Sequence, residues 1–190
     1  MIAPAHAGHL GLLSNWIRGG AADGSFDAEL AGNSAESTLF FANLRQALVA
    51  GYFVQEDLLG QVSTRSASGY IFWPDQEGDR SQPVGFGLFK ALHDMGYELW
   101  LTGLDRSARG RGHGRAMLSS ILGTPAGKMA YVVRVNRSGA SSAPMRHLVE
   151  ALDFRMERET PSQHWFVRSS APPEIAVRVR GARLVTERVH

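Results

Sequence analysis

Apolar residues along the chain change period several times, and the changes divide it into helical and strand-like stretches. The opening IAPA suits a short first strand. From His6 to Arg18, Leu10, Leu13 and Ile17 fall at helical spacing, and Gly19-Gly20 predicts the stop. AADGSFDAELAGN reads as a loop. Asn33 is the expected cap of a second helix, with Glu36 three residues on, a stripe of Phe40, Leu44 and Leu48, and Gly51 at its end. QVSTRSASGYIFW is strand-like, and PDQEGDRSQP is a polar turn. VGFGLFKALH and YELWLTGL, joined by a turn around His93 to Gly96, predict an antiparallel hairpin. The second of these strands is apolar on both sides, with Tyr97, Leu99 and Leu101 expected on one face and Trp100 and Leu104 on the other. Such a strand is central and covered. Ala116, Met117, Ile121 and Leu122 mark a third helix, closed by Gly123 and Pro125. MAYVVRV is a buried strand. Met145, Leu148, Val149 and Leu152 form the stripe of a fourth helix, and HWFVR is a last strand. The order predicts an α/β or α+β domain with a mixed sheet over residues 1–168. The tail, 169–190, alternates at Ile175, Val177 and Val179. It reads as a partly ordered appendage, or an edge strand added to this chain or to a second copy, which leaves a homodimer open.

Composition narrows the class. A hydrophobic fraction of 44% over 190 residues supports a core without help from a metal or disulfide. There is no cysteine, which excludes disulfides and thiolate metal sites. His6 and His9 lie three apart, but no third ligand accompanies them, so no metal is expected. No run of 18 apolar residues occurs and the N-terminus lacks a basic leader, so a cytoplasmic protein with no membrane segment is expected. The net charge is +2, and the tail accounts for it with Arg178, Arg180, Arg183 and Arg188 against Glu174 and Glu187. The rest sums to zero, so the basic balance gives no general case for nucleic acid.

Positive charge is concentrated in DRSARGRGHGRAMLSSIL, 105–122, directly ahead of the third helix. A helix start offers unpaired amides and a positive dipole end, and glycines before it let backbone approach an anion closely. A phosphate cradle is the physical reading. The spacing fits neither Gly-x-x-x-x-Gly-Lys-[Ser/Thr] nor Gly-x-Gly-x-x-Gly. Taken alone, such a hexapeptide also suits a flexible surface loop or a weak RNA contact, although no aromatic is interleaved between Arg106 and Arg115 for stacking on bases.

The segment Arg109-Gly110-Arg111-Gly112-His113-Gly114 matches [Arg/Gln]-x-x-Gly-x-[Gly/Ala], follows a central strand and opens a helix. With the preceding hairpin and the following strand, helix and LDF, it resembles the GNAT superfamily of acetyl-CoA-dependent N-acetyltransferases. The resemblance implies a mixed, mostly antiparallel sheet flanked by about four helices, with acetyl-CoA as co-substrate and an amine as acceptor. It implies that Thr102, Gly103 and Leu104 offer backbone to the pantetheine arm. Arg109, Gly110, Arg111, Gly112, His113, Gly114 and Arg115 would hold the phosphates, and Asn136 would meet the pantetheine or a water.

Acetyl transfer to an ammonium needs a proton acceptor. Glu98, the acidic residue inside an apolar strand eleven residues before Arg109, is the expected general base; the other reading pairs it with an arginine such as Arg134. Members of the family often carry an acid tyrosine where Val149 stands in Leu148-Val149-Glu150-Ala151-Leu152-Asp153-Phe154. His147 is the nearest titratable substitute, against its ordinary use as an exposed helix residue. Ser25, Phe26 and Asp27 are expected to line the acceptor pocket; His164 and Trp165 are within its expected reach, with strand packing the ordinary use of Trp165. The zone 21–36 carries Asp23, Asp27, Glu29 and Glu36 and no basic residue. It favours a small cationic molecule or peptide amine as acceptor. The function of the other class is a non-catalytic CoA-fold or RNA-binding module using the same loop.

Overall fold

The structure, a computed structural model, describes residues 1–56, 60–74, 82–92, 96–139 and 141–168. The expected turn at His93 to Gly96 falls largely outside them, as does the whole 169–190 tail.

Among the described residues eight strands form one sheet: β1 (Ile2–Pro4), β2 (Tyr52–Glu56), β3 (Val62–Phe72), β4 (Gly85–Ala91), β5 (Tyr97–Leu104), β6 (Ala130–Asn136), β7 (Phe154–Glu159) and β8 (Gln163–Arg168). Their order is β1-β3-β4-β5-β6-β8-β7, with β2 also paired to β3. Every pairing is antiparallel except β5 with β6. A parallel pair needs a crossover, supplied by α3 (His113–Leu122) and the one-turn α4 (Pro125–Lys128). The other helices are α1 (Leu10–Ala22), α2 (Ala35–Ala50) and α5 (Ser142–Glu150).

The sheet has a core on each face. Leu13 and Ile17 of α1 and Leu44 of α2 pack with Ile71, Phe86 and Leu88 on one side. Met117, Leu118 and Ile121 of α3 and Val149 of α5 pack with Phe89, Leu99, Val133 and Phe166 on the other. Among the described residues no helix is long and apolar enough to cross a membrane.

Several local expectations change. The first helix does not stop at Gly19-Gly20; α1 runs through both to Ala22, after a 3₁₀ turn at Ala7–His9. His6 and His9 cap that turn: Nδ1 of His6 accepts from Gly8 N–H at 3.1 Å, and Nδ1 of His9 from His6 N–H at 3.2 Å. Gly20 is needed for room, since a Cβ there would sit 2.5 Å from the Phe26 ring. Ser34 rather than Asn33 caps α2, its Oγ accepting from Ser37 N–H at 3.1 Å. Pro125 opens the short α4 instead of merely closing α3, with Thr124 as its cap. The pattern showed neither β2 nor β7: β2 is five residues long, and charges interrupt the alternation of FRMERE.

The two faces of β5 also differ from the simple alternation. Opposite β4, Leu88 faces Leu101 and Phe89 faces Leu99, so Trp100 is an extra residue, a bulge. The bulge shifts the phase of the strand. Trp100 and Leu101 therefore both pack on the α1/α2 side, while Leu104 joins Tyr97 and Leu99 on the α3/α5 side.

Candidate functional site

Beside the same bulge, β5 and β6 part. The two parallel strands pair only through Tyr97↔Ala130, Glu98↔Val132 and Leu99↔Val133, and then part. A cleft of about 920 Å³ opens between them, walled by Trp100 to Leu104 on one side and Val133 to Asn136 on the other. Past Leu99, β5 keeps its ladder with β4 and has none toward β6. That leaves a row of strand amides and carbonyls facing the cleft, a place where an extended ligand can add as a strand does. Thr102, Gly103 and Leu104 all line it, while the Thr102 hydroxyl donates sideways to Phe86 O at 2.8 Å.

At the end of β5 the chain turns into the glycine–arginine loop. Asp105 organises the turn: its carboxylate accepts from Ser107 N–H at 2.9 Å and from Trp16 Nε1–H at 2.8 Å. The Ser107 hydroxyl, above all, holds the Asp105 carboxyl below its ordinary value. Gly110 (φ 73°) and Gly112 (φ 79°) are left-handed, a conformation that costs other residues about 1–2 kcal/mol. Gly112 is the N-cap of α3 and brings no side chain to its first amides, which stay available to an anion. Arg109, Gly110, Gly112, Gly114 and Arg115 line the cleft; Arg111 and His113 do not.

Arg109 is engaged with the protein itself. Its Nε donates to Leu104 O at 3.2 Å, and Nη1 meets Asp23 Oδ2 at 2.5 Å. Asp23 also accepts from Ser25 N–H at 3.1 Å and from its hydroxyl at 2.5 Å. Burial pushes the Asp23 carboxyl up, but Ser25 and Arg109 outweigh it and hold the group below its ordinary value. The loop after α1 is thus tied to the loop before α3. Phe26 seats it further, filling the space over Gly20 beside Phe86.

Ser25, Phe26 and Asp27 line the cleft, as does Asn136, whose Oδ1 accepts from Gln163 Nε2–H at 3.3 Å. Of the four carboxylates between 21 and 36, Asp27 alone reaches the lining; Asp23 is spent on Arg109, and Glu29 and Glu36 are exposed elsewhere. His147 lines the rim with its side chain 81% exposed. Val149 is buried in the α3/α5 core and does not face the cleft. His164 and Trp165 are not in the lining either.

Glu98 does not line the cleft and is 2% exposed. Its Oε2 meets Lys90 Nζ at 3.2 Å and its Oε1 meets Arg134 Nε at 2.5 Å. The expected general base is therefore a carboxylate already committed to two cations. Burial pushes the Lys90 ammonium below its ordinary value, against the pull of Glu98. Arg134 stands between Glu98 and the cleft, and it is a lining residue that the sequence pattern identified only as a partner for Glu98. Its position inside MAYVVRV, a buried strand, was the available signal, because a charge there needs both a partner and a purpose. Gln163 was missed because a polar residue at a strand start is unremarkable in sequence.

No family model and no curated protein sequence matches the chain. Among solved structures it is similar to one from Desulfovibrio desulfuricans assigned to the GNAT family, with a TM-score of 0.53 and 16% identity over 87% of this chain and 96% of that one. It is also similar to the PaiA N-acetyltransferase of Thermoplasma acidophilum in complex with coenzyme A, with a TM-score of 0.52 and 15% identity over 88% and 97%. A third is diaminobutyrate acetyltransferase EctA from Paenibacillus lautus, holding L-2,4-diaminobutyric acid and coenzyme A, with a TM-score of 0.54 and 14% identity over 88% and 92%. The chain has the GNAT fold, with its mixed, mostly antiparallel sheet and, among the described residues, five helices.

Proposed function

We propose that the protein is an acetyl-CoA-dependent N-acetyltransferase that moves the acetyl group directly to a primary amine. The observation that carries this reading is the continuous track from the uncapped start of α3, along the free edge of β5, to the point where β5 and β6 separate. The residues fit the co-substrate. Open space lies where a Cβ would stand on Gly110 and Gly112, so a pyrophosphate can reach the loop amides. The amides and carbonyls of Thr102 to Leu104 suit the pantetheine arm, with Asn136 opposite.

In the transfer the neutral amine nitrogen attacks the thioester carbonyl, the C–N bond forms, the C–S bond breaks, and the proton lost from the nitrogen goes to the departing coenzyme A thiolate. The β5 amides past Leu99, which have no β6 partner, are the donors this reading assigns to the oxyanion. Asp27 and His147 line the cleft and can take the ammonium proton directly or through water. Glu98 contributes by holding Arg134. Asp27 also favours an ammonium-bearing acceptor, a small cationic molecule or a peptide amine.

Thermal unfolding with added acetyl-CoA tests this. Ligand at a hundred times its Kd stabilises by about 2.7 kcal/mol, a rise of about 5–11 °C for a domain of this size. An unchanged Tm at millimolar coenzyme A, or no release of free thiol with any amine in a broad panel, rejects the reading.

A further inference from the structure

Granting the acetyl-transfer reading on which it rests, we propose that Arg134 anchors a carboxylate of the acceptor, so that the acceptor is an amino acid or a compound with its amine within a few bonds of a carboxylate. Three observations meet at this side chain. Arg134 is the first residue of β6 beyond the last β5–β6 pair, Leu99↔Val133, so it lines the cleft at its apex. That is where an acyl group lying along the β5 edge would meet an amine.

The guanidinium is also held in place. Its Nε donates to Glu98 at 2.5 Å, Glu98 is itself 2% exposed and fixed from behind by Lys90, and the Trp165 ring lies 5.2 Å from the guanidinium carbon. Among the described residues neither terminal nitrogen of Arg134 donates to the protein. A guanidinium fixed through Nε keeps its other edge as a fork that fits a carboxylate with two parallel hydrogen bonds.

The charge balance agrees. Lys90 and Arg134 share the single carboxylate of Glu98, and Arg65 acts on Lys90 as well. Arg109 is matched by Asp23, and Arg115 stands at the α3 start, away from β6. A ligand carboxylate would give Arg134 a counter-charge of its own, because Glu98 is shared with Lys90. Asp27 lines the same cleft and suits the ammonium of that ligand, while Leu30, Phe40 and Trp100 give an apolar wall for its body.

The test compares the common amino acids with their amides and their decarboxylated amines, with spermidine as a purely cationic arm, following free thiol. Amides have the less basic, more available amine, so without an anchor they react faster. The expected result is at least one amino acid with kcat/KM on the order of 10²-fold above its amide. Arg134→Gln removes that preference, raising KM for the carboxylate form far more than for the amide. Arg134→Lys, which keeps the charge beside Glu98, restores only part. Calorimetry adds a readout apart from turnover: the N-acetyl amino acid binds the wild-type protein with coenzyme A tighter than its amide does. Coenzyme A titrated into each variant reports folding and the cofactor reading separately. If coenzyme A binds but every amide equals its acid, or spermidine is the best acceptor, the carboxylate anchor is wrong and the acetyltransferase reading stands. If Arg134→Gln slows acids and amides alike, the residue serves the oxyanion or the fold and the proposal fails. If coenzyme A does not bind the wild-type protein, both fail.

Discussion

Lys90 and Arg134 approach Glu98 from two sides, at 3.2 and 2.5 Å, and leave its carboxylate no free oxygen toward the cleft. A base must reach the proton it takes; a buried carboxylate between two cations instead fixes their positions. Glu98→Gln is expected to cost about 3 kcal/mol, the lower end for breaking a buried ion pair, because Arg134 is a quarter exposed. The activity that remains should show a raised acceptor KM with the acidic limb of the pH–rate profile unmoved. Loss of that limb together with a fall in kcat of about 10²–10⁴-fold would restore Glu98 as the base. Residue type alone could not separate these roles, since a glutamate in an apolar strand reads the same whether it faces a substrate or a guanidinium.

At the scale of elements, two adjacent glycines do opposite things. Gly19 is exposed in the interior of α1 with open space where a Cβ would stand; Gly20 is buried, and its Cβ would meet Phe26 at 2.5 Å. Gly19→Ala should stabilise the protein by about 0.4–1 kcal/mol by restricting the unfolded chain. Gly20→Ala should destabilise it by about 1–3 kcal/mol through overpacking, and loosen the Ser25–Asp27 loop that Phe26 seats. Chemical denaturation of both variants checks the pair; equal shifts would mean that Phe26 does not hold that loop. The bulge at Trp100 is the other element-scale decision. Hydrophobic alternation identified β4 and β5 as a hairpin and β5 as a central strand. It could not locate an inserted residue, because Trp100 and Leu101 are both apolar and satisfy either phase.

Across the whole molecule, two carboxylates tie the α1 side to the loop before α3: Asp23 through Arg109, and Asp105 through Trp16. Both carboxyls are held below their ordinary value. A depressed carboxyl stabilises the fold above its unfolded value, about 3.9 for aspartate, and that contribution is lost as the pH falls through the folded value. The Tm should therefore decline as the pH drops below about 4, and Asp23→Asn should lower it at neutral pH while flattening the decline. An unchanged acid slope in Asp23→Asn would remove the tie from the stability of the protein.

The sequence by itself determined the elements whose signals are local. Helical stripes, the glycine ends of α2 and α3, the β4–β5 hairpin and the glycine–arginine loop before α3 rest on periodicity and backbone conformation within a few residues, so a linear reading reaches them. It also brought forward Ser25, Phe26, Asp27, Thr102 and Asn136, which do share one cleft. Tertiary structure alone decided where β5 and β6 separate, that Asp23 spends itself on Arg109, and that Arg134 rather than Glu98 meets the cleft. The first depends on strands paired 33 to 34 positions apart, and the other two on ion pairs that join residues 86 and 36 positions apart; an ion pair at that separation leaves no pattern along the chain, because its two halves are joined only when burial removes water and makes each the nearest counter-charge of the other.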